Sequence, residues 1–341
     1  MSTAAGNERK TTGSYYTPDS LVQCLLDSAL DPVVVTRLKE SKKVARQLNG
    51  KANSDWTLDD IKNPPHWLKS FPKSKPANTN SLAEHALLTL KVVDPACGSG
   101  HFLIAAAHRI ARRLSSVRTG ESEPSPEDYQ CALRDVVRSC IYGVDMNPMA
   151  VELCKVSMWM EAIEPGKPLS FLDNHIQCGN SLLGTTPALL AKGIPDSAFK
   201  PIEGDVKAIC SDLKKDNKKE RLEHQSGQGL LFDPPIKLGN LPATFAAIAT
   251  GSADSVEEVA DTERRYHELV GKTNYINARL LADTWCSVFV WNKDESDLGR
   301  LCPTEKKFRE IESNPHSILP HVRLEVEKLA KRYRFLSLIH I

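Results

Sequence analysis

The chain has 341 residues, 41% of them hydrophobic, and its 44 basic and 43 acidic side chains leave a net charge of +1. That length accommodates two domains with a sizeable core, while the near-neutral balance excludes a global basic field that would by itself draw the chain to nucleic acid. Nine cysteines without a Cys-x-x-Cys pair point to free thiols in a reducing, cytoplasmic setting and to no metal site, and neither a membrane-length apolar run nor a secretory signal is present.

In chain order, residues 1–14 are polar and read as irregular, and helical periodicity follows over 19–30 and 33–48. Thr17-Pro18 ahead of the first helix reads as a cap with proline at the helix start. The stretch 62–79, with Pro64, Pro65, Pro72 and Pro76, excludes regular structure. Ser81 is the expected cap of a helix over 82–90, with Glu84 completing a capping box. A short strand at 91–94 precedes a helix to about Leu114, a loop over 115–127 and a helix over 127–138. A second strand, Cys140 to Val144, ends on Asp145; a helix over 148–162 and a third strand near 175–178 follow. Beyond Gly184 periodicity is low to about 240, and the charge run Lys214 to Arg221 reads as a solvated helix or loop. Helices return over 240–292 and 319–333.

The chemistry concentrates in Val92-Val93-Asp94-Pro95-Ala96-Cys97-Gly98-Ser99-Gly100 followed by His101-Phe102. This is a strand, a glycine loop and a helix start, the place in a doubly wound fold where a nucleotide-like ligand meets bare backbone. Leu103 stands where a dinucleotide fingerprint needs its third glycine, and the lysine and hydroxyl of a phosphate loop are absent. A loop without phosphate-gripping groups suits a ligand without phosphates, of which S-adenosylmethionine is the common one. Asp145, at the end of the second strand and followed by Met146, is placed to accept ribose hydroxyls. It lies farther from the glycine loop than the usual distance of about 20 residues, and the loop and helix over 115–138 account for the gap as an insertion. The same acid also suits the cap of the next helix.

Asp-Pro-Ala-Cys-Gly-Ser-Gly-x-Phe closely resembles the first motif of the amino-methylating DNA methyltransferases. Gly13-x-Tyr15-Tyr16-Thr17-Pro18 resembles a hallmark of the adenine-specific (N6) members, including the large restriction-modification and phage-defence enzymes. Cys178-Gly179-Asn180-Ser181-Leu182 is similar to the family segment whose acid or amide holds the adenine amino group; here Asn180 keeps the accepting oxygen, although a plain Gly-Asn turn also explains it. The resemblance covers about 12–184 and implies an α/β chain: a partial, Rossmann-like sheet of the class I S-adenosylmethionine-dependent type with N-terminal helices and a helical insertion. It divides the chain into a helical region over 1–90, a cofactor-binding half-sheet over 91–185 and a mostly helical insertion over 186–335. It implies that Thr17 and Pro18 lie at the methionine end of the cofactor, Asp94, Ala96 and Gly98 along its length, Asp145 at the ribose and Asn180 at the adenine, and that Tyr16, Pro95, Cys97, Gly100, Phe102 and Met146 complete the cofactor-binding set.

The family's methyl transfer to a flipped base uses a further N/D-P-P-aromatic element after a hydrophobic strand. Asn63-Pro64-Pro65-His66 lacks the strand, and Asp233-Pro234-Pro235-Ile236 lacks the aromatic, so both read as turns and Asp233, Pro234 and Pro235 are weak candidates. Leu336 to Ile341 is what CTG TCT CTT ATA CAC ATC encodes, the sequence of a transposase adapter used in sequencing libraries. The expectation is therefore a natural chain over 1–335 that opens a longer gene, with the catalytic motif and most double-stranded-DNA contacts beyond it. Such a piece leaves the first strand with an open apolar edge, aggregates or folds partially, and does not methylate alone. Cytosine N4 or a protein glutamine amide are alternative targets, and a non-catalytic binding module is the alternative for a complete chain.

Overall fold

The computed structural model describes residues 17–48, 56–72, 74–225, 244–245, 248 and 254–337. They fall into two compact units: the residues up to Gln177 with those between Ser252 and Ala260, and the remainder from Cys178 onward.

The first unit opens with α1 (Asp19–Leu25), a π-helical turn (Leu26–Leu30) and α2 (Asp31–Gln47). The two expected helices thus run on through the π-helical turn, with Pro32 near the start of α2. Pro18, not Thr17, takes the cap position of α1: its backbone is extended and its carbonyl accepts the Leu21 N–H at 3.0 Å. The proline-rich stretch carries one short 3-10 turn, His66–Ser70, which buries Trp67 and Leu68. Asn63 has φ 56 there, as a turn requires. Helix α3 (Thr79–Leu88) begins earlier than expected, because Asn78 caps it by accepting the Ser81 N–H at 2.9 Å.

Strand β1 (Val92–Asp94) leads through the glycine loop into α4 (His101–Thr119); α5 (Pro126–Cys140), capped by Ser125, leads into β2 (Ile141–Asp145); and α6 (Pro148–Glu161), capped by Asn147, precedes β3 (Ile176–Cys178). β1 and β2 are parallel, with Val92 opposite Ile141 and Asp94 opposite Gly143. The sheet order is β1-β2-β3. Strands of three to five residues reach only from the core to the loops, and the helices supply the rest of it: Leu103, Ala107, Ile110 and Leu114 of α4 pack with Leu133, Val136 and Val137 of α5. Among the described residues β1 is an edge strand, and Val93 on it is exposed.

The second unit holds a separate two-stranded sheet. β4 (Asn180–Thr185) pairs in parallel with β5 (Phe335–Ser337), with Asn180 opposite Phe335 and an irregularity before Gly184. Leu336, which the adapter reading sets apart from the natural chain, lies in β5 and is buried. Between the strands come α7 (Pro187–Ala191), α8 (Lys207–Gln225), α9 (Val256–Gly271), α10 (Thr273–Ser287), α11 (Asp297–Arg300), α12 (Glu305–Ser313) and α13 (Pro320–Tyr333). The Lys214–Arg221 charge run, expected as a solvated helix or loop, lies on α8, where its lysines are exposed but Asn217 is buried. Both sheets are parallel where their pairing is defined, and helices dominate, which is compatible with an α/β methyltransferase fold.

Candidate cofactor site

The site is assembled at the C-terminal end of β1 and β2, where two loops tie each other down. The Gly98 N–H donates to Oδ2 of Asp145 at 2.9 Å, and the Asn147 N–H donates to its Oδ1 at 2.7 Å. A single carboxylate thus fastens the loop after β1 to the turn after β2. Asp94 stiffens the entry to the loop, its Oδ1 accepting the Ala96 N–H at 2.9 Å. The Cys97 N–H donates to the Val144 carbonyl at 2.9 Å, and the Cys97 carbonyl accepts the Gly100 N–H at 2.8 Å.

Two glycines shape the loop for different reasons. Gly98 has φ +53, and a Cβ built there would meet nothing within 4 Å, so its outer side is bare backbone open to an approaching molecule. Gly100 has φ +91, and a Cβ there would come within 2.7 Å of Cys154 Sγ. Helix α4 can start against α6 only because that atom is absent. Sequence reasoning missed Cys154; the signal was its place on the inward face of α6, with Val151 and Met158.

Cys97 itself is turned into the core beneath the loop. Its hydrogen bond with the Cys154 thiol, together with burial, raises its pKa far above the ordinary thiol range, so it stays protonated. Of the predicted ligand-contacting residues, Cys97 therefore braces the loop and offers no side chain to its outer face. Pro95 and Ala96 are exposed, Phe102 is half-buried, and Met146 stands exposed beside Asp145. Asp145 is half-buried; with one N–H on each oxygen, lone pairs remain for further donors. These features fit S-adenosylmethionine: a bare loop, a carboxylate with accepting capacity, an exposed thioether and no phosphate-gripping cation.

An apolar cavity of about 400 Å³ adjoins the loop beside β1, between the strand and the π-helical turn. It takes in Asp94, Pro95 and Phe102 together with Leu25, Leu30 and Val93, but neither Gly98, Asp145 nor Met146. Helix α1, the π-helical turn and the start of α2 are held to α4 by Arg109, whose guanidinium donates to Gln23 at 2.6 Å and to Asp27 and Asp31, each at 2.7 Å. Thr17 and Pro18 lie just ahead of that helix. Tyr16, Asp233, Pro234 and Pro235 lie outside the described residues. Asn180 opens β4 in the second unit; its Oδ1 accepts the Leu182 N–H at 3.0 Å and its N–H donates to the Arg334 carbonyl at 2.7 Å. No group of His, Cys, Asp or Glu able to hold a metal ion occurs among the described residues, and none of their helices is long and apolar enough to cross a membrane.

Residues 73–171 match the family model of the MmeI DNA-methyltransferase domain. This methyltransferase-domain match runs from α3 to beyond α6 and includes the whole loop with Asp145 and Met146; Thr17, Pro18 and Asn180 fall outside it. The chain is also 32% identical over 193 residues to a protein of Methanocaldococcus jannaschii named as a type II restriction enzyme and methyltransferase. It is 31% identical over 99 residues to the adenine-specific methyltransferase PglX of Streptomyces coelicolor. These alignments cover 52% and 29% of this chain but only 15% and 8% of the relatives. No solved structure matches it. The DNA-methyltransferase resemblance read from Asp94 to Phe102 therefore holds.

Proposed function

We propose that this chain supplies the S-adenosylmethionine-binding part of a DNA methyltransferase that acts on the N6 amino group of adenine within a restriction-modification or defence system. The observation that carries the reading is the Gly98–Asp145 bond: it sets bare loop backbone beside a carboxylate that still has acceptor capacity. The bound cofactor would supply an electrophilic methyl group. Asp145 would accept ribose hydroxyls, Met146 beside it would contact the cofactor, and Ala96 to Gly98 would line the cofactor's length. Thr17 and Pro18 are assigned to its methionine end and Asn180 to its adenine, following the family motif. Double-stranded DNA is the proposed partner, and a cytoplasmic location goes with it.

Two measurements test this. Calorimetry of the purified chain with the non-reactive analogue sinefungin should show binding that Asp145→Ala weakens at least tenfold; no binding, or equal binding by the variant, overturns the cofactor assignment. Nucleoside mass spectrometry of DNA from a methylation-free host carrying the source gene should show N6-methyladenine; N4-methylcytosine instead would move the target base and leave the cofactor site standing.

A further inference from the structure

On a chain whose charges nearly cancel, helix α2 is locally basic. From Arg37 to its end it holds Arg37, Lys39, Lys42, Lys43 and Arg46 against a single acid, Glu40. That acid is engaged elsewhere: its Oε2 accepts the Trp67 indole N–H at 2.9 Å and lies 3.9 Å from Arg37. Lys39, Lys42, Lys43 and Arg46 share one side of the helix, as residues three and four apart do, and all four are exposed. Val34, Ser41 and Val44 are the buried positions. Among the described residues no carboxylate pairs with any of the four cations. Like charges at this spacing repel, so the arrangement weakens the helix and gives the fold no contact in return. The lysines of α8 make the contrast. Lys214, Lys215, Lys218 and Lys219 are exposed too, but Asp212, Asp216, Glu220 and Glu223 alternate with them, and Lys215 lies 3.4 Å from Asp212. A mixed run of that kind is a solvated surface, whereas the α2 stripe is a local positive field.

We propose that the α2 stripe grips the phosphate backbone of duplex DNA; the choice of that anion rests on the methyltransferase reading above. From Lys39 to Arg46 the stripe runs about 10 Å along the helix. B-DNA carries one phosphate per about 1.7 Å of axis, so the same length presents about six of them. Contacts of this sort fix the position of a duplex without reading its bases. An anionic membrane is the other extended anionic surface, but no large apolar side chain is exposed between Lys39 and Arg46, so the stripe has nothing to insert among lipid chains. It also belongs to the unit that carries the glycine loop. Asp31, at the start of α2, is bound by Arg109 of α4, the helix that opens at Gly100, and Lys39 lies about 12 Å farther along α2.

Fluorescence anisotropy of the full chain with a labelled duplex, between about 50 and 200 mM salt, tests the assignment. The combined variant Lys39→Gln, Lys42→Gln, Lys43→Gln, Arg46→Gln should lose at least about thirtyfold in affinity, and the slope of log K against log salt should fall by about 3 to 4. Lys42→Gln with Lys43→Gln should lie between it and the wild type. Glutamine is a good helix former, so both variants should keep the wild-type far-ultraviolet circular dichroism and sinefungin binding. A matched variant, Lys214→Gln, Lys215→Gln, Lys218→Gln, Lys219→Gln, removes as many charges from α8 and should bind DNA like the wild type. A wild type that does not bind the duplex overturns the proposal, as does equal loss in the α2 and α8 variants or undiminished binding by the folded α2 variants. So does binding to phosphatidylglycerol vesicles that the α2 variants lose while their DNA affinity stays unchanged. Sinefungin binding without DNA binding strikes the stripe alone; DNA binding lost in the α2 variants, with no sinefungin binding by the wild type, strikes the cofactor assignment alone.

Discussion

Asp145 in the first unit and Glu305 in the second do the same local job with opposite outcomes. Each accepts a backbone N–H from a distant segment: Asp145 that of Gly98 at 2.9 Å, Glu305 that of Ile194 at 2.7 Å. Glu305 is 1% exposed, and its other oxygen accepts from Arg309 at 2.8 Å. Arg309 in turn donates to the Ala191 carbonyl, and Asn217 accepts the Glu305 N–H. Every direction around that carboxylate is closed by protein. Asp145 has no such lid; its second partner is a neighbour two residues away, and it remains half-buried. A closed carboxylate serves the fold, whereas a half-closed one keeps capacity for a ligand, and this contrast is the physical basis of the candidate site.

Breaking the closed carboxylate should have the largest effect. Glu305→Ala leaves the Arg309 charge and the Ile194 N–H without their partner, and should destabilise the second unit by about 3–5 kcal/mol; chemical denaturation followed by the fluorescence of Trp285 and Trp291 would check it. The next comparison is one of sign. His175 in the first unit is buried, its Nδ1 against the Ile141 carbonyl at 2.8 Å and its ring stacked on Tyr142. Burial lowers its pKa from 6.5 to about 4. Stability from this group is therefore complete above pH 6.5 and is lost as the pH falls through about 4, a change of about 3 kcal/mol. Asp283 in the second unit goes the other way. Burial outweighs the attraction of Arg279 and raises its carboxyl from 3.8 to about 6, so its contribution is complete below pH 3.8 and is lost as the pH rises through about 6, again by about 3 kcal/mol. Hydrogen exchange between pH 4 and 6.5 should show protection of β2 falling with acid and protection of α10 rising with it. His175→Phe and Asp283→Asn should flatten the respective slopes.

Gly100→Ala should cost about 2 kcal/mol, from positive φ and the encounter with Cys154. A second change, Cys154→Ala, should relieve the steric part and leave the backbone part, as a double-mutant cycle of melts would read. The smallest expected change in stability is that of Asp145→Ala, about 1–2 kcal/mol for two lost backbone hydrogen bonds. If it instead proves as damaging as Glu305→Ala, the distinction between ligand-facing and fold-facing carboxylates fails.

The sequence makes the first unit far more readable than the second, and the reason is locality. Val-Val-Asp followed by glycines, and Ile-Tyr-Gly-Val-Asp followed by Asn-Pro, carry strand, turn and cap signals within a few residues of one another. The inward direction of Cys97 was not legible, since its partner Cys154 lies on another helix. The cap of α3 was misplaced because Asn78 and Ser81 are both good caps, and the choice depends on where the helix packs. Helix α8 hides in a lysine-rich run whose buried positions, Cys210, Leu213 and Asn217, include a polar residue that breaks the apolar pattern. β4 reads as a turn through Gly179-Asn180, and β5 is too short to announce itself; each is a strand only because the other exists.

That last pairing bears on how the molecule is made. Residue 180 meets residue 335, so during synthesis the second sheet has to wait for nearly the whole of its unit to leave the ribosome, whereas β1 and β2 can meet once residue 145 has emerged. Long-range closure of this kind is slow and leaves apolar segments such as α10 uncovered in the interval. The second unit is thus the one expected to finish last and to depend most on chaperones.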